Sequence, residues 1–417
     1  MEYKKVKLSE CCKSISDGDH LPPPKSQSGV PFITISNIDG DNQIDFNDTM
    51  FVPDSYYDSL SEEKKARIGD ILYSVVGSFG KPVFIDYDKR FVFQRHIAIL
   101  KPNDEVNSRY LYYVMLNPDF YYIADKIAIG AAQRTITLNS LRNMTVNLPD
   151  IAMQNAIVDV LSCIDKKIQC NKKINDNLQQ QLKLIYDYWF TQFDFPDENG
   201  KPYRSSGGAM VWNEQLKRKI PIDWQVISIC NNDLCYIIKP GINSFSGHKT
   251  YLATADIVGT TIFKGNDIDY ETRESRANMQ PSELSVWFAK MKNSIKHLNL
   301  NREMKSIIED SILSTGFCGL QCNLLSFEYI ATFIEHSYFE TIKDTLAHGA
   351  TQEAINNDDL CNITLLKPLE RVLTLYHEKT KDIYAQISNN ICENQKLTQL
   401  RDWLLPMLMN GQATISD

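Results

Sequence analysis

Ile151-Ala152-Met153-Gln154-Asn155-Ala156-Ile157-Val158-Asp159-Val160-Leu161 opens a stretch that runs to Phe193 without a glycine or a proline. Apolar side chains recur at Ile157, Leu161, Ile164 and Ile168, then at Ile174, Leu178, Leu182, Ile185 and Trp189. Steps mostly of three and four place them on one face of a helix, and an unbroken helix of about 40 residues calls for a coiled-coil partner. The partner is in the same chain. Pro368–Leu405 repeats the pattern with Val372, Leu375, Tyr376, Ile383, Ile387, Ile391, Leu397, Leu400 and Leu404.

The two stretches share more than periodicity. Ile168 and Ile387, Asn171 and Asn390, Asn175 and Asn394, and Leu178 and Leu397 all lie 219 positions apart. The same interval links Gly130-Ala131-Ala132-Gln133 to Gly349-Ala350-Thr351-Gln352, Pro149 to Pro368, Tyr110 to Tyr329 and Phe32-Ile33 to Tyr251-Leu252. In a chain of 417 residues this is a tandem duplication. Leu72–Ile99 finds little counterpart in Val286–Asn323, so a common scaffold with different reading surfaces is expected.

Length and composition bound the class. A chain of 417 residues, 43% hydrophobic and 23% charged, is ordinary for a protein of two or three globular domains. No apolar run approaches the ~20 residues of a membrane span, and the first residues lack the apolar core of a signal peptide, so a cytoplasmic protein with no membrane partner is expected. Ten cysteines without Cys-x-x-Cys spacing or a His-rich companion read as free thiols, and no metal is expected. The net charge of −8 argues against a wholly basic nucleic-acid-binding surface but leaves room for local basic faces.

The order along the chain is domain, helix, domain, helix, an α+β fold. Residues 1–150 form a first mixed α/β domain, 151–193 the first long helix, and 194–220, with its proline, glycine and serine, a linker. Residues 221–367 form the second domain, 368–410 the second helix and 411–417 a tail. Asp150 can cap the first helix, Pro368 suits the first turn of the second, and Pro406 should end or kink it. Antiparallel packing of the helices is simplest. At 1.5 Å per residue they would make a spacer of roughly 60 Å, the span of about 18 base pairs of duplex DNA. Asn171, Asn175, Asn390 and Asn394 fall near the seam, where polar residues set register.

At this point the chain resembles the specificity subunit of type I restriction-modification systems, over nearly all its length. The resemblance is carried by Asp17-Gly18-Asp19-His20 before Gly29-Val30-Pro31-Phe32 and by Gly69-Asp70-Ile71-Leu72-Tyr73-Ser74 before Gly77-Ser78-Phe79-Gly80. Gly130-Ala131-Ala132-Gln133, the run from Leu148-Pro149 to Ile164-Asp165, and Leu400-Arg401-Asp402-Trp403-Leu404-Leu405-Pro406 complete it. It implies two target recognition domains separated by the two antiparallel coiled-coil helices, and a bipartite asymmetric DNA target with one domain per half-site. It also implies two methyltransferase subunits on the helices, carrying S-adenosylmethionine, and two restriction subunits as further members of the complex. Lys239-Pro240-Gly241 stands where the first half has Asp17-Gly18-Asp19-His20, which speaks against a shared role for His20.

The chain itself reads as non-catalytic. Asn117-Pro118-Asp119-Phe120 is similar to the Asn-Pro-Pro-Tyr/Phe motif of adenine methyltransferases, but Asp119 replaces the second proline and no glycine-rich cofactor loop accompanies it. Candidate DNA-contacting residues are Lys81, Gln94, Arg95, Gln133 and Arg134 in the first domain, and Arg273, Arg276, Lys290, Lys292, Lys296 and His297 in the second. Trp189, Phe190, Trp403 and Met407 are candidate partner-docking residues on the helices. The Tyr112-Tyr113 and Tyr121-Tyr122 pairs are expected in helix cores rather than as stacking platforms for bases. A self-sufficient DNA adenine methyltransferase and a protein-only coiled-coil adaptor are the alternatives.

Overall fold

The computed structural model describes residues 3–413 apart from 19, 21, 132, 264, 350 and 351, so Asp19, Ala132, Ala350 and Thr351 of the motifs above lie outside the described residues. Two compact units form: Met1–Lys166 with Leu397–Asp417, and Lys167–Lys396. Both long helices, α1 (Ile151–Tyr186) and α2 (Glu370–Met409), contribute to each unit.

In the first unit, four strands carry the central sheet: β1 (Cys12–Asp17), β2 (Ile71–Ser74), β3 (Pro82–Phe84) and β4 (Ile97–Pro102), in the order β1-β4-β2-β3 and antiparallel throughout. In the second, β5 (Cys235–Ile238), β6 (Ser285–Ala289), β7 (His297–Leu300) and β8 (Phe317–Cys322) take the corresponding order β5-β8-β6-β7. A smaller sheet repeats as well. Val30–Ile33 pairs antiparallel with Met50–Val52 and parallel with Val92–Phe93, and Lys249–Leu252 does the same with Asn266–Ile268 and Ser311–Ser314. Leu72–Ile99 therefore has a counterpart in 286–323 after all. It is strand for strand, but its spacing drifts, because the connections differ in length.

Where the interval of 219 holds, it holds for hydrogen bonds. The Tyr110 hydroxyl donates to the Asn147 carbonyl at 2.8 Å, and the Tyr329 hydroxyl to the Leu366 carbonyl at 2.5 Å. Each bond ties the helix after the sheet (Ser108–Leu116 or Phe327–Glu335) to the strand that leads into a long helix. Asn117 accepts from the Asp119 amide at 3.0 Å and caps the helix Pro118–Ile127. Its likeness to a methyltransferase motif is thus a helix-capping feature, and His336 caps Ser337–Leu346 in the same way.

Each unit has its own core. The first gathers Ile71, Tyr73, Leu100, Tyr110, Leu111 and Leu141 with Ile157 and Leu161 of α1 and Leu405 and Leu408 of α2. The second gathers Phe288, Leu320, Tyr329 and Phe333 with Leu182 and Tyr186 of α1 and Tyr376, Tyr384 and Ile387 of α2. Burying such side chains contributes roughly 1.5–3 kcal/mol each, which is why helices with so many polar faces stay folded.

Within the second unit the helices run antiparallel and the asparagines meet. Asn171 Nδ2 donates to Asn394 Oδ1 at 2.9 Å and to Glu393 at 2.7 Å, and Asn390 Nδ2 donates to Asn175 Oδ1 at 2.7 Å. The repeat maps the first asparagine pair onto the second, so the helix pair is locally two-fold at this point. Asp150 accepts from the Met153 amide at 2.9 Å, the cap expected at the start of α1.

Four expectations are corrected. Of the two expectations for Pro406, the ending is overturned: helix α2 continues through it to Met409, with Leu408 and Met409 of the turn beyond buried in the first core. The stretch 194–220 holds a hairpin, Met210–Asn213 paired with Arg218–Pro221, and Phe195 and Ile220 are buried in the second core. Tyr112 and Tyr113 are buried, but Tyr121 and Tyr122 are exposed, since only Phe120 and Ala124 of their helix face the sheet. Trp189 and Phe190 are buried against Tyr376, with Phe190 also against Trp224 and Tyr329, and so present no docking surface. Among the described residues no helix is long and apolar enough to cross a membrane, no cluster of three potential metal ligands occurs, and the cysteines are free.

Candidate nucleic-acid interface

In the first unit Gln94, Arg95, Gln133 and Arg134 converge where β1 and β2 end and β4 begins. The Val75 amide donates to the His96 carbonyl at 2.9 Å and the Gly18 amide to the Ile97 carbonyl at 3.2 Å. Onto this end docks a hairpin in which Ile129 and Thr135 exchange backbone bonds of 2.9 and 2.8 Å. The Ile136 amide donates to the Val75 carbonyl, and the Gly77 amide to the Arg134 carbonyl, both at 2.9 Å. Gly130 has φ 96°, and a Cβ there would lie 2.5 Å from the Gln133 carbonyl oxygen, so the tight loop needs glycine. A Cβ on Gly18 would meet the Phe93 carbonyl oxygen at 2.1 Å, so Gly18 lets the end of β1 close on the turn that carries Gln94 and Arg95.

The second unit builds the same crest. Lys290 donates its amide to the Gly316 carbonyl at 3.0 Å and accepts from the Ile355 amide at 2.9 Å, and the Lys292 amide reaches the Glu353 carbonyl at 3.0 Å. His348 and Ala354 exchange bonds of 3.3 and 3.1 Å across the second copy of the glycine loop.

On the first crest Arg95, Gln133 and Arg134 are exposed and Gln94 is half-buried. The crest also explains a shift: burial, and then the Arg95 charge, hold the His96 imidazolium below its ordinary range. Arg134 is held by Asp125 at 2.9 Å, which neutralises part of its charge. Lys81 lies apart, half-buried, with its ammonium 3.4 Å from the Ile38 carbonyl. His20 is 2.9 Å from Asp17.

On the second crest Lys290 and Arg276 come together with Lys239, which residue type and spacing had not singled out as a contact. Burial first, then the Lys239 and Arg276 charges, push the Lys290 ammonium below its ordinary value. The other candidates are engaged elsewhere. Lys292 pairs with Glu353 at 2.8 Å, Lys296 donates to the Thr254 carbonyl, and Arg273 lies over the Tyr270 ring at 4.1 Å. His297 is corrected outright. It is 3% exposed, with Nε2 2.9 Å from Glu340, inside a buried cluster that includes Lys343, so it meets no ligand. Basic residues crowded in sequence are thus spread over strand faces and turns.

Residues 1–180 match the family model described as the type I restriction modification DNA specificity domain. The chain is 23% identical over 412 residues to the HindI type I restriction enzyme specificity subunit of Haemophilus influenzae, covering 85% of this chain and 89% of that one. It is 23% identical over 332 residues to the MjaIX specificity subunit of Methanocaldococcus jannaschii, covering 76% and 71%. Among solved structures, the type I restriction-modification S subunit of M. genitalium superposes with a TM-score of 0.52 at 14% identity, covering 100% of this chain and 97% of that one, a likeness of fold.

Proposed function

We propose that the chain is a specificity subunit of a type I restriction-modification system, the non-catalytic component that recognises DNA sequence, and that it divides the task between its two units. Each unit reads one half of a bipartite asymmetric target, and the two long helices scaffold two methyltransferase subunits. S-adenosylmethionine is bound by those partners, and two restriction subunits join them where cleavage occurs.

One observation carries the division of labour. Two copies of one sheet order present different residues at matching crest positions: Val75 against Lys290, and Arg134 against Glu353. A common frame with unlike edges suits two unlike half-sites, since phosphate contacts position a protein while base-edge contacts specify sequence.

Two equivalent partners are supported by exposed apolar residues that obey the repeat. Trp403 and Met407 of α2 stand 219 positions after Leu184 and Tyr188, with Trp403 58% and Leu184 69% exposed. Leu184 and Tyr188 therefore take the place first expected for Trp189 and Phe190. Light scattering of the co-expressed complex should give two methyltransferases per chain. A one-to-one complex counts heavily against this scaffold.

Methylome sequencing of cells with and without the protein tests the DNA reading. A two-part methylated motif is expected, and exchanging residues 1–150 for those of another specificity subunit should change one part only. A motif that changes in both parts, or an undivided one, sinks the one-unit-per-half-site scheme.

A further inference from the structure

At the end of β5 a cleft of about 520 Å³ is lined by Lys239, Lys290, His348, Asn356, Asn357 and Asp358. A second, of about 340 Å³, shares both lysines and continues to Asn278 and Thr315. Lys239 and Asn356 are exposed and Lys290 is half-buried. Lys292 nearby is matched by Glu353, whereas among the described residues no carboxylate forms an ion pair with Lys239, Lys290 or Arg276. Asp358 is the cleft's acid, and it is exposed at the rim.

Strand register identifies what stands there in the first unit. Ile237 pairs with Leu320 as Ile15 pairs with Leu100, so Lys239 occupies the strand end that Asp17 occupies in β1. Lys290 accepts from Ile355 as Val75 accepts from Ile136, so Lys290 replaces Val75. An acid and an apolar residue in one copy have become two lysines in the other.

A phosphate seat would keep its sign in both copies, because both would face the same polyanion. A change of sign at a matched strand end marks a position that separates the two targets. Guanine offers two acceptors, O6 and N7, to donors in the major groove, whereas a carboxylate can only accept, from the exocyclic amine of cytosine or adenine. We propose that Lys239 and Lys290 read the acceptor edge of a guanine in the half-site of the second unit, and that Asp17 turns the first unit toward a base bearing an exocyclic amine. This assignment rests on the reading of one unit per half-site.

The test is methylome sequencing of cells carrying the complete complex with the wild-type chain, Lys239→Ala, Lys290→Met or Asp17→Asn. The second unit's half-site is the one that survives exchange of residues 1–150. A guanine is expected there, and Lys239→Ala and Lys290→Met should each relax its preference about tenfold, within the range for loss of one base contact, while the other half stays strict. Asp17→Asn should loosen only the first half. If Lys290→Met does not fold, Lys239→Ala, at an exposed position, carries the test alone. Three results overturn the assignment while leaving the two-part reading intact: no guanine in that half-site, unchanged discrimination, or a uniform loss of methylation with the motif preserved. An undivided wild-type motif overturns both.

Discussion

Where the helix after Asn117 meets the sheet of the first unit, Phe120 and Ala124 make the contact, and Tyr121 lies outside, stacked on Phe79 at 5.6 Å. In the matching helix of the second unit Phe339 keeps its place, but Glu340 and Lys343 replace Tyr121 and Ala124 and are buried with His297. At the long helices the contrast reverses. In the first unit Tyr113 donates to Asp165 at 2.6 Å, and Asp165 pairs with Arg401 at 3.1 Å. The equivalent positions in the second are Thr332, Tyr384 and Leu182, a hydroxyl pair at 2.8 Å beside an apolar side chain. Apolar positions and backbone bonds define the shared frame, and a buried polar cluster is accepted wherever all its members find partners.

The largest effect that would sharpen this contrast is expected at Glu340. Lys343 Nζ, 0% exposed, is 2.5 Å from Glu340 and 3.0 Å from the Ser294 carbonyl. Glu340→Gln takes the nearer counter-charge from a buried cation, leaving it only Asp344 at 3.8 Å, and should cost about 3 kcal/mol. Tyr121→Phe at the matching site should cost less than about 0.5 kcal/mol. Hydrogen exchange over 337–346 and 118–127 compares them, and similar losses in both helices would break the comparison.

Next comes Asp165→Asn, which leaves the Arg401 guanidinium with Asp402 as its one remaining carboxylate and deprives the Tyr113 hydroxyl of an ionised acceptor. A loss of about 2 kcal/mol is expected, confined to protection of the first unit. Thr332→Val in the second unit removes neutral hydroxyl bonds and should cost about 1 kcal/mol.

Acid should separate the units further. Burial opposes ionisation of Glu340, but the hydrogen bonds from His297 and Lys343 outweigh it and hold the carboxyl below its usual range. A depressed folded value adds stability above the unfolded carboxyl pKa of about 4.3, and that stability is lost as pH falls through the folded value. Protection over 337–346 should therefore fall below about pH 4 in the wild-type chain. Glu340→Gln should lack that acid-dependent step, and an unchanged step in the variant would rule Glu340 out as its source.

A modest gain rather than a loss is expected at the helix seam. Replacing Asn175 and Asn390 together by leucine should raise stability by about 1 kcal/mol while loosening the register that their 2.7 Å bond sets. Cysteine cross-linking at neighbouring seam positions reads the register, and a single unchanged product would remove that role from the asparagines.

Much of the frame was legible because duplication samples the same constraints twice. Tyr110 and Tyr329, the two glycine loops and the seam asparagines could be paired by their interval alone. The strands between Leu72 and Ile99 could not, since unequal connections shift the interval and only hydrogen-bond pairing restores the match. Candidate contacts were harder to place. Arg95, Gln133, Arg134, Arg276 and Lys290 do sit on the crests, but His297 points into a core, because a strand residue one step along faces the opposite side of the sheet. Trp189 and Phe190 looked like docking residues on a polar helix, until Tyr329, Trp224 and Tyr376 from distant segments covered them.

The amino-acid sequence by itself determined the duplication, the helical stretches and the polar residues at their seam, because periodicity and repeat spacing are properties of a line. Which charges face outward was decided only by the tertiary structure. Burial and pairing depend on segments far apart along the chain, as when Lys239 comes to lie beside Lys290 and His348.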